Sequence, residues 1–170
     1  MNSAAKYADV MLAPRLDFGP SQDPSLLLNY YFEYTLNFSK DVKRRIALEG
    51  CSPEDFFIAS IQRPIVGRTE KEAEEMFQEL QSLKPFYKIP KPLFFGSAEK
   101  VADQIQEWYE AGAMDILIVR QEHPSGLENF IELVVPILQD KGIFRTEYES
   151  NTLRGNLGLP FPENRYAKRY

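Results

Sequence analysis

Cysteine is nearly missing from this chain: Cys51 is the only thiol among 170 residues, so no disulfide can close within it. That usage suits a reducing compartment. Histidine is just as scarce. His123 stands alone, and one imidazole with one thiol cannot fill the four-ligand shell of a structural zinc. Positive charge is not in surplus either. The 20 Lys and Arg against 25 Asp and Glu leave a formal net charge of −5, which argues against a nucleic-acid partner held by clustered cations. No apolar run approaches the ~18 residues of a membrane span. The opening Met1-Asn2-Ser3-Ala4-Ala5-Lys6 lacks the apolar stretch of a signal peptide. GxGxxG and GxxxxGK[ST] are both missing, so the common nucleotide-cradling loops are not available. These absences point to a cytoplasmic protein without nucleic-acid or membrane partners.

What is present is enough apolar material for a core. At this length, with 44% hydrophobic residues, the whole chain 1–170 reads as a single domain. Such a domain buries about 70% of its unfolded surface without a metal or disulfide. Three continuous apolar runs, Ala8 to Leu12, Phe56 to Ala59 and Ile116 to Val119, read as strands covered on both faces of a parallel sheet. Each is followed by a helical pattern, and that alternation is the mark of α/β architecture.

The helices are announced with different clarity. Thr69 with Glu72 makes a capping box ahead of the stripe Ala73, Met76, Phe77, Leu80 and Leu83. Ser97 is an N-cap for a helix presenting Val101, Ile105 and Trp108, which Gly112 stops. A third helix, from about Leu127 to Asp140, is apolar nearly all round and is expected to be deeply packed. Pro136 within it removes the hydrogen bond to the Glu132 carbonyl and is expected to bend it. A longer candidate, Leu26 to Leu48, repeats Leu27, Tyr30, Tyr31, Tyr34, Phe38, Val42 and Ile46 at helical spacing. These aromatics could line a ligand wall, but packing alone demands the same spacing, and packing is the simpler reading. Pro14 to Pro24, Lys84 to Pro92 and Arg145 to Tyr170 carry turn residues and read as loops.

Few residues suggest chemistry. His123 follows the last strand, at the strand end where active sites of parallel α/β folds gather, and a histidine there could serve as acid or base. The competing and simpler reading is a solvated loop histidine ahead of Pro124. Cys51 sits in a turn between Gly50 and Pro53 and reads as an ordinary thiol. Glu70, Glu72, Glu74, Glu75 and Glu79 lie opposite the apolar stripe and read as a solvated helix face. Arg165, Lys168 and Arg169 read as a terminus too short for a nucleic-acid arm. Residue chemistry alone nominates no catalytic residue and no metal ligand, and leaves any cofactor-binding residues unknown.

Four segments taken together carry a resemblance. They are Ala4 to Leu12, Pro53 to Leu83, Phe95 to Val119, with its Gly-Ser-x-Glu-x-Val-Ala-Asp helix entry, and Gly126 to Tyr166, with its Gly-Ile-Phe-Arg-Thr-Glu-Tyr run and its Asn-Arg-Tyr end. In this order they resemble the bacterial-luciferase-like flavin monooxygenases, in the branch of nitrilotriacetate monooxygenase component A and dibenzothiophene-sulfone monooxygenase. The resemblance implies part of a TIM-like (β/α)8 barrel, its C-terminal βα units, with parallel strands near Val10, Ile58 and Leu117. Helices starting near Thr69, Ser97 and Leu127 should then pack on one side of the strands.

The resemblance also implies oxygenation of a small organic substrate by O2 and reduced FMN, the latter supplied by a separate flavin reductase. In the family a Ser-x-x-Gly-x-x-Phe-Ala-Ala stretch seats the flavin phosphate at a helix N-terminus. Ala4-Ala5 match its end, Ser3 stands at the aromatic position, and the glycine would fall before Met1. The family has a longer segment where Lys84 to Phe94 stands, and Ala13 to Gly50 match it poorly. It also tends to apolar residues where Arg120-Gln121-Glu122-His123 follow the last strand. No family flavin or catalytic residue carries over. The expectation is a chain that does not bind FMN alone and is completed by an N-terminal half-barrel chain or by self-association, unless Ala13 to Gly50 fold over the gap. The alternative is a non-catalytic remnant or interaction subunit of the same family.

Overall fold

The computed structural model describes residues 9–13, 24–83, 86, 89–159 and 161. Ser3, Ala4, Ala5, Ala8, the loop from Pro14 and the basic terminus Arg165, Lys168 and Arg169 lie outside the described residues.

Three parallel strands form the main sheet: β1 (Val10–Leu12), β2 (Phe57–Gln62) and β5 (Ile116–Val119). β2 is central. Val10 pairs with Phe57, Leu12 with Ala59, Ala59 with Ile116 and Ile61 with Ile118. The strands expected near Val10, Ile58 and Leu117 are therefore present, parallel and adjacent. A second parallel pair, β3 (Ile65–Gly67) and β4 (Phe95–Ser97), was not foreseen. Each is three residues long, and one glycine in each weakens any strand signal.

The long helix α1 (Pro24–Leu48) fills the connection between β1 and β2. Its buried face is set by Thr35, Ser39, Val42 and Ile46, with Leu28, Tyr31, Phe32 and Leu36 packed on the core. This corrects the expected stripe at its N-terminal end. Tyr30 is exposed and Tyr34 only half-buried, because the face actually used is turned about one residue from them.

The capping expectations hold at α2 (Glu70–Ser82) and α3 (Ala98–Glu110). The Glu72 N–H donates to Thr69 Oγ1 at 3.1 Å, and Glu72 returns its carboxylate to the Arg68 N–H at 2.7 Å. The Lys100 N–H reaches Ser97 Oγ. Ala73, Met76 and Leu80 of α2 are buried with Ile65, Ile89 and Phe95, whereas Leu83 at the helix end is exposed. Val101, Ala102, Ile105 and Trp108 of α3 join Val66 and Phe94 in the largest core cluster. Trp108 meets Phe94 and Phe32 edge-on, centroids 5.4 and 5.7 Å away.

The third helix runs through 126–140 as α4 (Gly126–Asn129), a π-helical turn (Phe130–Val134) and α5 (Val135–Asp140). The Val135 N–H bonds the Phe130 carbonyl five residues back. That wider turn accommodates Pro136, which has no N–H to offer. Deep packing is only partly realised. Phe130, Val134 and Leu138 are buried, but Leu127 and Ile131 are exposed, because only one face meets α3. α2, α3 and this helix pack chiefly on β3, β4 and one another rather than directly on the three-stranded sheet.

A short α6 (Leu153–Asn156) interrupts the expected terminal loop. From it Arg154 makes a two-pronged ion pair with Asp9, at 2.7 and 3.2 Å, tying the end of the chain to the start of β1. Among the described residues no helix is long and apolar enough to cross a membrane.

Candidate functional site

The two faces of the three-stranded sheet are unequal. Met11 and Ile58 pack beneath Phe38, Val42 and Ile46 of α1, while Leu117 and Val119 pack on the main core. On the opposite face the register aligns Val10, Leu12, Phe57, Ala59, Ile61, Ile116 and Ile118. Four of these are large, apolar and open: Val10 is 39% exposed, Leu12 53%, Ile61 46% and Ile118 40%. A parallel sheet normally has both faces covered. In a barrel the covered outer face carries helices, and the inner face is filled by apolar side chains from the other strands. Among the described residues of the segment Ala13 to Gly50, α1 packs on the other side of the sheet and does not close this face.

The carboxyl ends of β2 and β5 carry a polar rim. The Arg120 N–H continues the ladder to the Gln62 carbonyl at 2.8 Å. Arg63 pairs with Glu122 at 2.8 Å, both side chains largely shielded. Such a pair fixes the loop after β5 against the end of β2.

His123 is not a solvated loop residue. It is buried, its Nδ1 accepts the Ser125 N–H at 3.2 Å, and its Nε2 faces Glu79 Oε2 at 3.3 Å. With Nδ1 accepting, the ring proton sits on Nε2 toward Glu79. Both nitrogens are thus committed, and the ring is turned toward α2. The residue pins the loop between β5 and α4 to the helix layer. Cys51 follows the C-terminal turn of α1 and is exposed and unpaired. Among the described residues no three His, Cys, Asp or Glu side chains converge as metal ligands.

The glutamates of α2 form the expected solvated face, with Glu70, Glu75 and Glu79 exposed and Glu72 and Glu74 half-buried, and some of them also reach other elements. Glu70 accepts the Ser97 N–H at 2.9 Å and Lys100 Nζ at 3.0 Å. The Ser97 N–H, then the Lys100 ammonium, hold the Glu70 carboxyl below its ordinary 4.5. Glu74 takes Lys91 at 2.7 Å and Gln78 at 2.8 Å, and Lys91 first, then Gln78, lowers its pKa too. The signal for these roles was not on α2 itself, because the partners come from β4, α3 and the segment before them.

Together these contacts decide what the helix N-termini can hold. A phosphate is commonly seated where a helix start presents free N–H groups. Just ahead of α2 the Glu72 carboxylate binds the Arg68 N–H, and at the N-cap of α3 Glu70 binds the Ser97 N–H. Gly96, with φ +135°, leaves room for the latter, since a Cβ there would collide with Glu70 Oε1. At these two helix starts the chain's own carboxylates therefore take the place an anion would approach first.

No family model matches the chain. It is 49% identical over 77 residues to N-acetyl-S-(2-succino)cysteine monooxygenase of Bacillus subtilis (strain 168), 45% of this chain and 18% of that protein. Over 75 residues it is 45% identical to nitrilotriacetate monooxygenase component A of Aminobacter aminovorans, 44% of this chain and 17% of that one. Its relatives are luciferase-like monooxygenases. The fold agrees. The solved EDTA monooxygenase of Chelativorans sp. BNC1 superposes with a TM-score of 0.72 at 21% identity, covering 94% of this chain and 46% of that one. Riboflavin lyase, solved with a modified FMN, superposes at 0.68 and 18% identity over 93% of this chain and 44% of its own. The architecture is that of part of the TIM barrel of luciferase-like monooxygenases, and the chain spans less than half the length of these solved neighbours. The name "component A" marks the nitrilotriacetate enzyme as one part of a multi-component system.

Proposed function

We propose that residues 1–170 form one unit, the C-terminal part of a luciferase-like monooxygenase barrel. In the assembled barrel bound reduced FMN would supply the two electrons for O2 to oxygenate a small organic substrate, one oxygen atom entering the substrate and the other leaving as water. The observation that carries this reading is the apolar face of the parallel sheet, open on the side away from the helices. It has the composition of a barrel interior and lies beside a polar rim at the strand ends, where such folds do their chemistry.

The chain's own residues contribute wall and rim. Val10, Leu12, Ile61 and Ile118 exclude water from the interior, and the Arg63–Glu122 pair and buried His123 hold the β5–α4 loop in place. The flavin phosphate is seated by another part of the barrel, a reading supported by Glu72 and Glu70 holding the Arg68 and Ser97 N–H groups beside the starts of α2 and α3. Reduced flavin comes from a reductase component, and the assembly works in the cytoplasm. The same two bonds favour a second reading, a non-catalytic interaction subunit of the family.

Isotope incorporation separates the two. The chain, alone and with the part of a related barrel that it does not span, is supplied with FMN, NADH, a flavin reductase and 18O2. Small organic acids and sulfur compounds are then screened by mass spectrometry. The proposal expects one 18O atom per product only with the completed barrel. Incorporation by the chain alone would refute it, and so would none by a completed barrel that binds FMN.

A further inference from the structure

We infer that Arg120, at the carboxyl end of β5, binds the carboxylate of a small organic acid whose apolar body lies on Ile61 and Ile118. The inference rests on the reading above and names the substrate class of that same site. Register is the first support. Ile61 pairs with Ile118, and the bond from the Arg120 N–H to the Gln62 carbonyl carries the ladder one step past the last paired residues. Side chains alternate along a strand, so Arg63 and Arg120 stand on the same side of the sheet as Ile61 and Ile118. Pro64 favours extended backbone at Arg63, which preserves that alternation.

Charge is the second. Arg63 is neutralised by Glu122 at 2.8 Å. Arg120 is exposed, and among the described residues no hydrogen bond or ion pair engages its guanidinium. Two arginines and one glutamate leave one positive charge at the end of an otherwise apolar face. The matching ligand follows from that balance. A guanidinium stays charged and presents a planar fork that suits the two oxygens of a carboxylate. Ile61 and Ile118 beside it offer apolar contact, and one polar group among apolar ones fixes a ligand's orientation. A neutral substrate would gain nothing from the guanidinium. An acid with several charged groups would set the others on apolar side chains at a cost in desolvation. A single carboxylate on an apolar body fits both parts.

The full chain is titrated with hexanoate, with neutral hexanamide and with acetate, following the N–H shifts of residues 118–122 by nuclear magnetic resonance. Hexanoate should bind saturably, more tightly than acetate, which lacks the apolar body, and than hexanamide, which lacks the charge. Arg120→Gln should weaken hexanoate at least about tenfold and leave hexanamide unchanged, and Arg120→Lys should restore part of the loss. Circular dichroism of both variants should match the parent, since the guanidinium holds no other part of the fold. Arg68→Gln, which removes an exposed arginine ahead of α2, should leave hexanoate binding unchanged. No saturable hexanoate binding, hexanamide binding as tightly, or hexanoate binding indifferent to Arg120→Gln would each overturn the proposal. FMN takes no part in this titration. Arg120-dependent binding by a chain whose completed barrel never takes up FMN would uphold the acid site and refute the flavin reading. A completed barrel that oxygenates only neutral compounds, unaffected by Arg120→Gln, would do the reverse.

Discussion

Replacing Glu70 with alanine should both destabilise the protein and open an anion site that the parent lacks. In the parent the carboxylate sits at the first turn of α3, bonded to the Ser97 N–H at 2.9 Å and to Lys100 at 3.0 Å. The side chain is 54% exposed, so solvent screening discounts both contacts. The exposed ion pair contributes about 0–1 kcal/mol. An anion at a helix start adds about 0.3–1 kcal/mol at such exposure. Glu70→Ala should therefore cost roughly 0.3–2 kcal/mol, which for a chain of this size lowers Tm by about 0.6–8 °C.

The informative part is the rescue. With the carboxylate gone, the Ser97 N–H and Lys100 face a vacated space beside Gly96, where inorganic phosphate can bind. Thermal unfolding in phosphate and in chloride of equal ionic strength should show extra stabilisation of the variant over the parent. Because phosphate strengthens burial generally, only that excess counts. An unchanged Tm in Glu70→Ala, or equal phosphate effects on both proteins, would refute the reasoning that an internal carboxylate closes this helix start.

Four other outcomes follow from the same packing. Trp108→Ala should cost about 3–5 kcal/mol in denaturant unfolding, since the indole is fully buried between Phe32 and Phe94. Tyr34→Ala should cost less than that in the same assay, because its ring is only half-buried. Gly67→Ala should destabilise severely or prevent folding, as a Cβ would lie 2.6 Å from the Ala73 backbone nitrogen, and thermal melts will show it. Asp9 is held below its ordinary 3.8 by its hydrogen bond from Arg154. Its contribution is therefore full above that value and lost as pH falls through the lower folded pKa. Arg154→Ala should flatten that acid limb of a stability-versus-pH curve.

Parallel α/β order, the caps at Thr69 and Ser97 and the three main strands were legible because each rests on a local signal: a continuous apolar run, a capping residue or a stop glycine. Pro136 was legible as a local disturbance of its helix, and the structure has a π-helical turn immediately before α5, which holds it. What was not legible depends on distant partners. β3 and β4 are too short to show a period and exist through each other. The glutamates of α2 are the solvent face they look like, but their bonds to Ser97, Lys91, Lys100 and His123 come from other elements and could not be read from the helix. His123 looked solvated because its loop sequence says nothing of α2 lying against it. The open sheet face was hidden for a different reason, since Val10, Leu12, Ile61 and Ile118 are as apolar as core residues and only the register assigns them to one side.

The most direct measurement is a fluorescence titration of the chain with oxidised and reduced FMN, alone and with the complementary part of a related barrel. With Glu72 and Glu70 holding the Arg68 and Ser97 N–H groups, the chain should show no saturable binding alone. With the complement present, binding should saturate at one flavin per complex. Stoichiometric FMN binding by the isolated, monomeric chain would contradict the account and make this protein a flavoprotein in its own right.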